Sequence, residues 1–323
     1  MLYLRKFLHF LVVYFSIING LSAFEIDWDG SIGENEHKYI PAISNPLFNE
    51  TPYITTEVRP ILLHQKIPSK NVVLPVLGGA SLLRGEVTVV AAEARMALTD
   101  NFGIIATKDG YAWIDFNDSL TNAAGIDDDD GFVNIALGFK YALFNDIEDQ
   151  SIVSLGLKYE APTGNLDLDL SAPATTLLGT GSIELNEGGD GFINPFISAA
   201  KRFDKVGLQG SAGTHIAIDN DHDSSMLHYS LHVDYEFTES VYPMLELNGF
   251  TVYDAGKRLP FGFDGVDLVN LGAGQDEGTV ITAAGGLRIM ATDNLMFGAG
   301  MEKAVGRDDL LDWRGYFDLI LHF

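Results

Sequence analysis

From Asn71 to Phe323 the chain is a succession of segments, each about ten to fifteen residues long, in which apolar and polar side chains alternate with a period of two. That period belongs to β-strands, whose successive side chains point to opposite faces. In Phe132 to Phe144 one face carries Val133, Ile135, Leu137, Phe139, Tyr141 and Leu143. In Val206 to Asp219 it carries Val206, Leu208, Ala212, Ile216 and Ile218, and in Met226 to Phe237 it carries Leu227, Tyr229, Leu231, Val233, Tyr235 and Phe237. The last fourteen residues, Leu310 to Phe323, set Trp313, Phe317, Leu319, Leu321 and Phe323 against Asp312, Arg314, Tyr316, Asp318 and His322, with Ile320 the one apolar exception. Strands of this kind need lipid or a core on one side.

The connections alternate in length. Thr99-Asp100-Asn101, Asn145 to Asp149, Phe203-Asp204-Lys205, Thr238-Glu239-Ser240 and Thr292-Asp293-Asn294 are short, whereas 117–130, 165–190, 219–225 and 255–277 are long. Short turns at one end and long loops at the other, joined by alternating strands, describe an all-β, transmembrane, antiparallel up-and-down barrel. The count is twelve strands, with ten or fourteen as the alternatives. Alternation slips at Lys108-Asp109-Gly110, which reads as a bulge or a hairpin turn, and Val72 to Leu82 is a poor strand with Pro75 inside it. A soluble β-sandwich is the competing fold.

The N-terminal 71 residues read differently. Arg5 and Lys6, an apolar run from Phe7 to Ile18, and Leu21-Ser22-Ala23 have the layout of a secretory signal over residues 1–23. Residues 24–71 contain Pro41, Pro46, Pro52, Pro60 and Pro68 and no sustained period, which predicts an irregular periplasmic arm or a lumen plug ahead of a barrel at 72–323. Beyond the signal no apolar stretch approaches the ~20 residues a membrane-spanning helix requires.

Charge and composition narrow the partners. Cleavage after Ala23 would move the formal charge from −25 to −27, because two of the 20 basic residues and none of the 45 acidic ones lie in the removed segment. So acidic a chain is a poor ligand for nucleic acid. There are 0 cysteines, which excludes disulfides, thiolate metal sites and cysteine nucleophiles. The 34 glycines and 20 phenylalanines suit turns and strands more than long helices.

If the apolar face meets lipid, the opposite parity lines a lumen: Glu93, Arg95, Asn134, Lys140, Lys158, Glu160, Asp234, Glu236, Glu246, Arg288, Glu302, Asp312, Arg314 and Asp318. With eight acidic and five basic members, this set predicts a modest preference for cations, or else a lumen closed by charges that pair across it. Asp127, Asp128, Asp129 and Asp130 form a run whose hard oxygens suit Ca²⁺ or Mg²⁺, as does Asp219, Asp221 and Asp223 around His222, although a solvated outer loop is the simpler explanation of both. His215, His228 and His232 share inward parity with Ser211 and Ser230 nearby, but no nucleophile elbow or metalloprotease helix is present, so no enzyme and no cofactor are expected.

Two resemblances add to this reading. The closing strand, with Phe317, Leu319, Leu321 and terminal Phe323, resembles the last strand of bacterial outer-membrane barrels, whose terminal aromatic is the signal read by the barrel-assembly machinery. Leu155-Gly156-Leu157-Lys158-Tyr159-Glu160-Ala161-Pro162-Thr163-Gly164, Gly179-Thr180-Gly181-Ser182, Pro243, Leu245-Glu246 and Asn248-Gly249 resemble the outer-membrane transporter family associated with the meta-pathway of phenol degradation, over residues 84–323. This resemblance implies a channel for small molecules, hydrophobic or aromatic ones among them, in the outer membrane of a bacterium; the acidic loops and proline-bearing arm are departures from it. The alternative is a closed structural barrel that works through its acidic outer loops and transports nothing. Nothing in the sequence marks an oligomer interface.

Overall fold

Twelve antiparallel strands close into a barrel in the computed structural model, which describes residues 37–67, 73–74, 81–82, 85–116, 127–171, 175, 179–185, 189–259, 264–265, 267–268, 270–274, 278–307 and 311–323. The proposed signal (1–23) and the start of the arm lie outside these residues, as does most of the first long loop.

The strands are β1 Glu57–Lys66, β2 Glu86–Thr99, β3 Phe102–Asp115, β4 Ile135–Asp146, β5 Ser151–Ala161 and β6 Phe192–Phe203. The second half adds β7 Val206–Ala217, β8 Ser225–Tyr235, β9 Val241–Asp254, β10 Thr279–Thr292, β11 Leu295–Ala304 and β12 Trp313–His322. Each pairs with its neighbours in sequence, and β1 closes the ring on β12 with Glu57 opposite His322 and Lys66 opposite Trp313. A short extra strand, Asp129–Phe132, pairs with the second half of β3, while the first half of β3 pairs with β4. A closed ring leaves no edge strand and excludes the sandwich.

The count of twelve stands, but the barrel starts earlier than the sequence indicates. Glu57–Lys66, assigned above to the arm, is its first strand, and the described residues between Val72 and Leu82 form the two-residue ladder of Val73–Leu74 with Ser81–Leu82. Pro60 hides β1. It has no N–H to donate, and the ladder to β12 accordingly skips Arg59 and Pro60 between Val58–Leu321 and Ile61–Asp318. The slip at Lys108 is a bulge within β3, where the register to β2 shifts between Ala92 and Ala94 and Lys108 adopts φ 59°. Consecutive Thr107 and Lys108 therefore both point inward and are buried. Val133 is a second correction: it lies ahead of β4 rather than on it, and is buried with the inner cluster instead of facing out with Ile135 and Leu137.

Polarity is inverted relative to a water-soluble protein. Leu137, Leu231, Leu245, Leu247, Tyr141, Tyr159 and Tyr235 face outward and are exposed, while arginine, lysine and carboxylate side chains fill the interior. The end bearing the long loops is sealed by an apolar cluster in which Leu166, Leu168, Leu170, Ile183, Leu185, Leu259 and Leu271 from the loops meet Ile67, Val89, Ile114 and Phe116 from the wall. Beneath this seal is an apolar cavity of about 60 Å³ lined by Val87, Val89, Ile114, Phe116, Leu166 and Leu185 among others.

Small residues make room for the interior charges. A Cβ on Gly298 of β11 would collide with Asp318 Oδ1 and Arg288 Nη1, a pair that closes over the glycine. The Gly298→Ala protein is expected to unfold at a lower urea concentration, by about 1–3 kcal/mol, because the buried pair has to separate or the wall has to move. Urea titration of the folded, heat-shifted gel band in micelles measures this.

Candidate functional site

Residues 37–56 do not lie outside the barrel. They enter at the short-turn end, run up the lumen, turn at Asn45–Asn49 and return to Glu57 at the same end. The turn is closed by Phe48 N and Asn49 N donating to Asn45 O, with Asn45 at φ 50°. At the mouth His37 Nε2 lies 2.6 Å from Asn145 Oδ1, Lys38 N donates to Gln150 Oε1 over 2.7 Å, and Lys38 pairs with Glu236.

Deeper in, wall side chains grip the backbone of this segment. Arg288 donates to Pro41 O (2.7 Å) and Ala42 O (2.8 Å), Arg59 to Ala42 O (2.9 Å), Lys158 to Leu47 O (2.6 Å) and Lys140 to Thr51 O (3.0 Å). Glu246 supplies the opposite polarity, accepting from Ile43 N (2.8 Å), Ser44 N (2.7 Å) and the Ser44 hydroxyl. Extended backbone in a proline-interrupted segment leaves its own amides and carbonyls unpaired, and the lumen charges take the place of a neighbouring strand.

The segment also inserts Tyr39, Ile40, Ile43, Leu47, Phe48, Tyr53 and Ile54, all buried. Phe48 stacks on His228 with ring centroids 4.5 Å apart. Apolar burial of these side chains and the charged hydrogen bonds to its backbone together hold the segment in the lumen.

Around this segment the interior charges form continuous chains. Lys158–Glu50 (3.0 Å), Glu50–Arg95 (3.5 Å), Arg95–Glu57 (3.0 Å), Arg95–Glu93 (3.2 Å), Glu93–Arg59 (3.3 Å), Arg59–Asp318 (2.5 Å) and Asp318–Arg288 (2.5 Å) link five strands through one residue of the segment. A second group gathers Lys108 (2.6 Å), Asn134 (2.9 Å) and His215 (3.1 Å) on Glu160. A third runs Arg202–Asp234–His232–Glu246, and a fourth joins Glu302, Asn248, Thr282, Tyr316 and Arg314. Arg314 in turn grips Asp267 of a long loop with both guanidinium nitrogens, at 2.5 and 2.8 Å, tying the seal to the lumen.

Of the fourteen side chains expected to line the lumen, Glu93, Arg95, Asn134, Lys140, Lys158, Glu160, Asp234, Glu246, Arg288, Glu302, Arg314 and Asp318 are buried inside. Glu236 stands at the short-turn mouth and Asp312 is half-exposed beside Lys303, 4.0 Å away. The parity argument missed Glu57 and Arg59, placed in the arm, Lys108, displaced by the bulge, Arg202, and Glu50, whose inward position follows from the path of the segment. The eight-to-five acidic excess is thereby corrected. Among the described residues the strands bury eight cations (Arg59, Arg95, Lys108, Lys140, Lys158, Arg202, Arg288, Arg314) and seven carboxylates (Glu57, Glu93, Glu160, Asp234, Glu246, Glu302, Asp318), so the wall offers no basis for cation preference.

The four-aspartate run is dispersed: Asp128 Oδ1 accepts from Phe116 N (2.6 Å), Asp129 Oδ2 from Asp167 N (3.2 Å), and Asp130 from the Tyr111 hydroxyl. No group of three or more acidic or histidine side chains suited to a metal comes together among the described residues. Nor does a serine hydroxyl meet a histidine there. His215 bonds Glu160 and His228 bonds Asn194, while Ser211 bonds Phe48 O and Ser230 bonds Asn45. Phe317 and Phe323 project outward, and Phe323 N donates to Thr56 O (3.1 Å) where the inserted segment meets β1.

No protein-family profile matches the sequence, and no curated protein is detectably related to it. Among solved structures the barrel is similar to an outer membrane channel from Pseudomonas putida F1, at 13% identity over 87% of this chain and 100% of that one with a TM-score of 0.60. More distant are the NanC porin (8% identity, 83% and 100% coverage, TM-score 0.48) and the β domain of the Bordetella autotransporter BrkA (11%, 83% and 100%, 0.48). At 13% identity the likeness to the Pseudomonas channel bears on the fold alone: a closed twelve-stranded barrel of the outer-membrane type.

Burial pushes the carboxyl of Asp264, in the last long loop, above the usual range even though the amides of Gly265, Leu271 and Ala273 donate to it; Asp223 is raised in the same way. A folded pKa above the unfolded one means that the contribution to stability is fully present below the ordinary aspartate value and is lost as pH rises through the raised one. Amide exchange at Leu271 and Ala273, corrected for its intrinsic pH dependence, is therefore expected to be slower at pH 4 than at pH 7. In Asp264→Asn this difference is expected to shrink.

Proposed function

We propose that the protein is a bacterial outer-membrane channel for small molecules that rests closed, with residues 37–56 as its plug. The observation that carries this reading is the manner of closure. Among the described residues the lumen is filled by one segment that enters and leaves by one end and whose backbone is gripped by wall charges, an arrangement that can be undone without breaking the ring of strands. Apolar side chains outside and charges within support a lipid surround, because a charged interior and an apolar exterior are stable only when the solvent is hydrocarbon. Export through the signal over residues 1–23, recognition of the Phe323 end by the assembly machinery, and the absence of catalysis belong to the same proposal.

A permeant entering from the long-loop end meets the apolar cavity before the charged plug. This supports a molecule with an apolar portion, in keeping with the hydrophobic or aromatic compounds that the family resemblance implies. The competing reading, a structural barrel closed for good, is favoured by the apolar seal across the long-loop end, and conductance separates the two.

The lack of cysteine makes a clean test. Ser44 Oγ and Asn248 Nδ2 are 2.9 Å apart across the gap between plug and wall, so Ser44→Cys with Asn248→Cys can be bridged by a short bis-methanethiosulfonate reagent, which forms a disulfide with each thiol and releases methanesulfinate. In planar bilayers the unbridged mature protein is expected to show intermittent conductance steps. Bridging is expected to abolish them and reductive cleavage of the bridge to restore them. Silence in the unbridged protein, with folding confirmed by gel mobility, supports the structural barrel.

A further inference from the structure

Among the described residues, two lumen lysines, Lys158 and Lys140, make their side-chain hydrogen bonds to the inserted segment. Lys158 Nζ bonds Glu50 Oε1 (3.0 Å) and Leu47 O (2.6 Å), and Lys140 Nζ bonds Thr51 O (3.0 Å); neither pairs with a wall carboxylate among the described residues. Arg95 has Glu57 and Glu93 on the wall, yet also extends Nη2 to within 3.5 Å of Glu50 Oε2. Glu50 is thus a wholly buried carboxylate with one oxygen on an ammonium and the other on a guanidinium.

The wall is shaped for that contact. Gly138 of β4 stands opposite Lys158, and a Cβ there would come within 2.7 Å of Lys158 Cγ, so its absence lets the lysine stem lie across the strand. The rings of Phe48 and Phe196, centred 6.0 and 5.7 Å from Lys158 Nζ, put apolar surface next to the charge. When the plug leaves, Phe196 stays and Glu50 goes. Two unpaired ammonium groups beside a guanidinium in a narrow interior draw in an anion, because a buried charge left without its partner is costly.

We propose that Lys158, Arg95 and Lys140 form a binding site for a small organic carboxylate, which Glu50 occupies as a built-in ligand while the plug is inserted. A permeant acid would then compete with Glu50 and favour the open lumen. The aromatic surface beside the cations favours an acid with an apolar body over an inorganic anion. This assignment rests on the channel reading for its physiological meaning, but the site itself is testable without any conductance.

In the full chain, Glu50→Ala removes the carboxylate and leaves a hollow between the cations. Sodium propionate is the probe, with sodium chloride and propionamide as controls at matched ionic strength. At a concentration about one hundred times its dissociation constant, propionate is expected to raise the unfolding midpoint of the variant in micelles by roughly 5 °C. The wild type, with its site filled, is expected to respond much less. Equal effects of propionate and chloride on the variant, or equal responses of variant and wild type, would overturn the site.

Should Glu50→Ala fail to fold, Glu50→Gln keeps the shape and removes the charge. Its reversal potential is then expected to shift toward anions, and the added change Lys158→Met to cancel the shift; an unchanged or cation-shifted potential contradicts the proposal. Propionate binding in a protein that never conducts would uphold the site and remove the channel reading. Conductance indifferent to propionate, with no binding, would do the reverse.

Discussion

Closing a ring of strands with apolar side chains outside forces every charge on the inner face to find a partner within the ring. Partial neutrality is not enough, since an unpaired buried ion costs several kcal/mol even after relaxation. Most pairs form between strands, such as Arg288 with Asp318 and Arg202 with Asp234, and glycines beneath them provide the space. Lys140 and Lys158 are left over, and the inserted segment completes the set with Glu50, Leu47 O and Thr51 O. The plug is therefore part of the electrostatic closure of the wall as well as a steric obstacle. Its own backbone, broken by prolines and unable to form a ladder, needs those same charges.

This reciprocity sets what the lumen can do. A segment held by apolar packing would stay, because its release would expose hydrophobic surface. One held by charged hydrogen bonds can be exchanged for water, ions or a ligand offering the same groups. The two ends of the barrel differ: the long-loop end is sealed by leucines and isoleucines, with the Arg314–Asp267 bond tying the loop to the lumen, whereas the short-turn end is closed by the segment itself, through the polar contacts of His37 and Lys38 and an apolar cluster of Tyr39, Tyr53 and Ile54 against Ala97, Ala142, Ile152 and Ala200.

Most of the fold was legible in the sequence because period-two alternation survives wherever one face meets lipid and the other the lumen. It located the outward faces of β7, β8 and β12, and most of the inward charges with them. It failed where local chemistry breaks the period. Pro60 disguised β1, the bulge at Lys108 set two consecutive residues inward, and Val133 lies in a short irregular stretch before β4. The misjudged lumen charge followed from these errors, since two of the omitted cations, Arg59 and Lys108, sit at them. The inserted segment has no period to read; only its three prolines, Pro41, Pro46 and Pro52, marked it as irregular, and its partners emerge only from the closed ring.

Hydrogen exchange at the amides of Ile43 and Ser44, both bonded to Glu246, tests the central claim most directly when followed under increasing mild denaturant and compared with the amides of β9 that carry Glu246. A plug that leaves an intact barrel predicts that Ile43 and Ser44 exchange by an opening of lower free energy and weaker denaturant dependence than the β9 amides. Exchange of all of them through one common global unfolding would contradict the account and make the segment a permanent part of the wall.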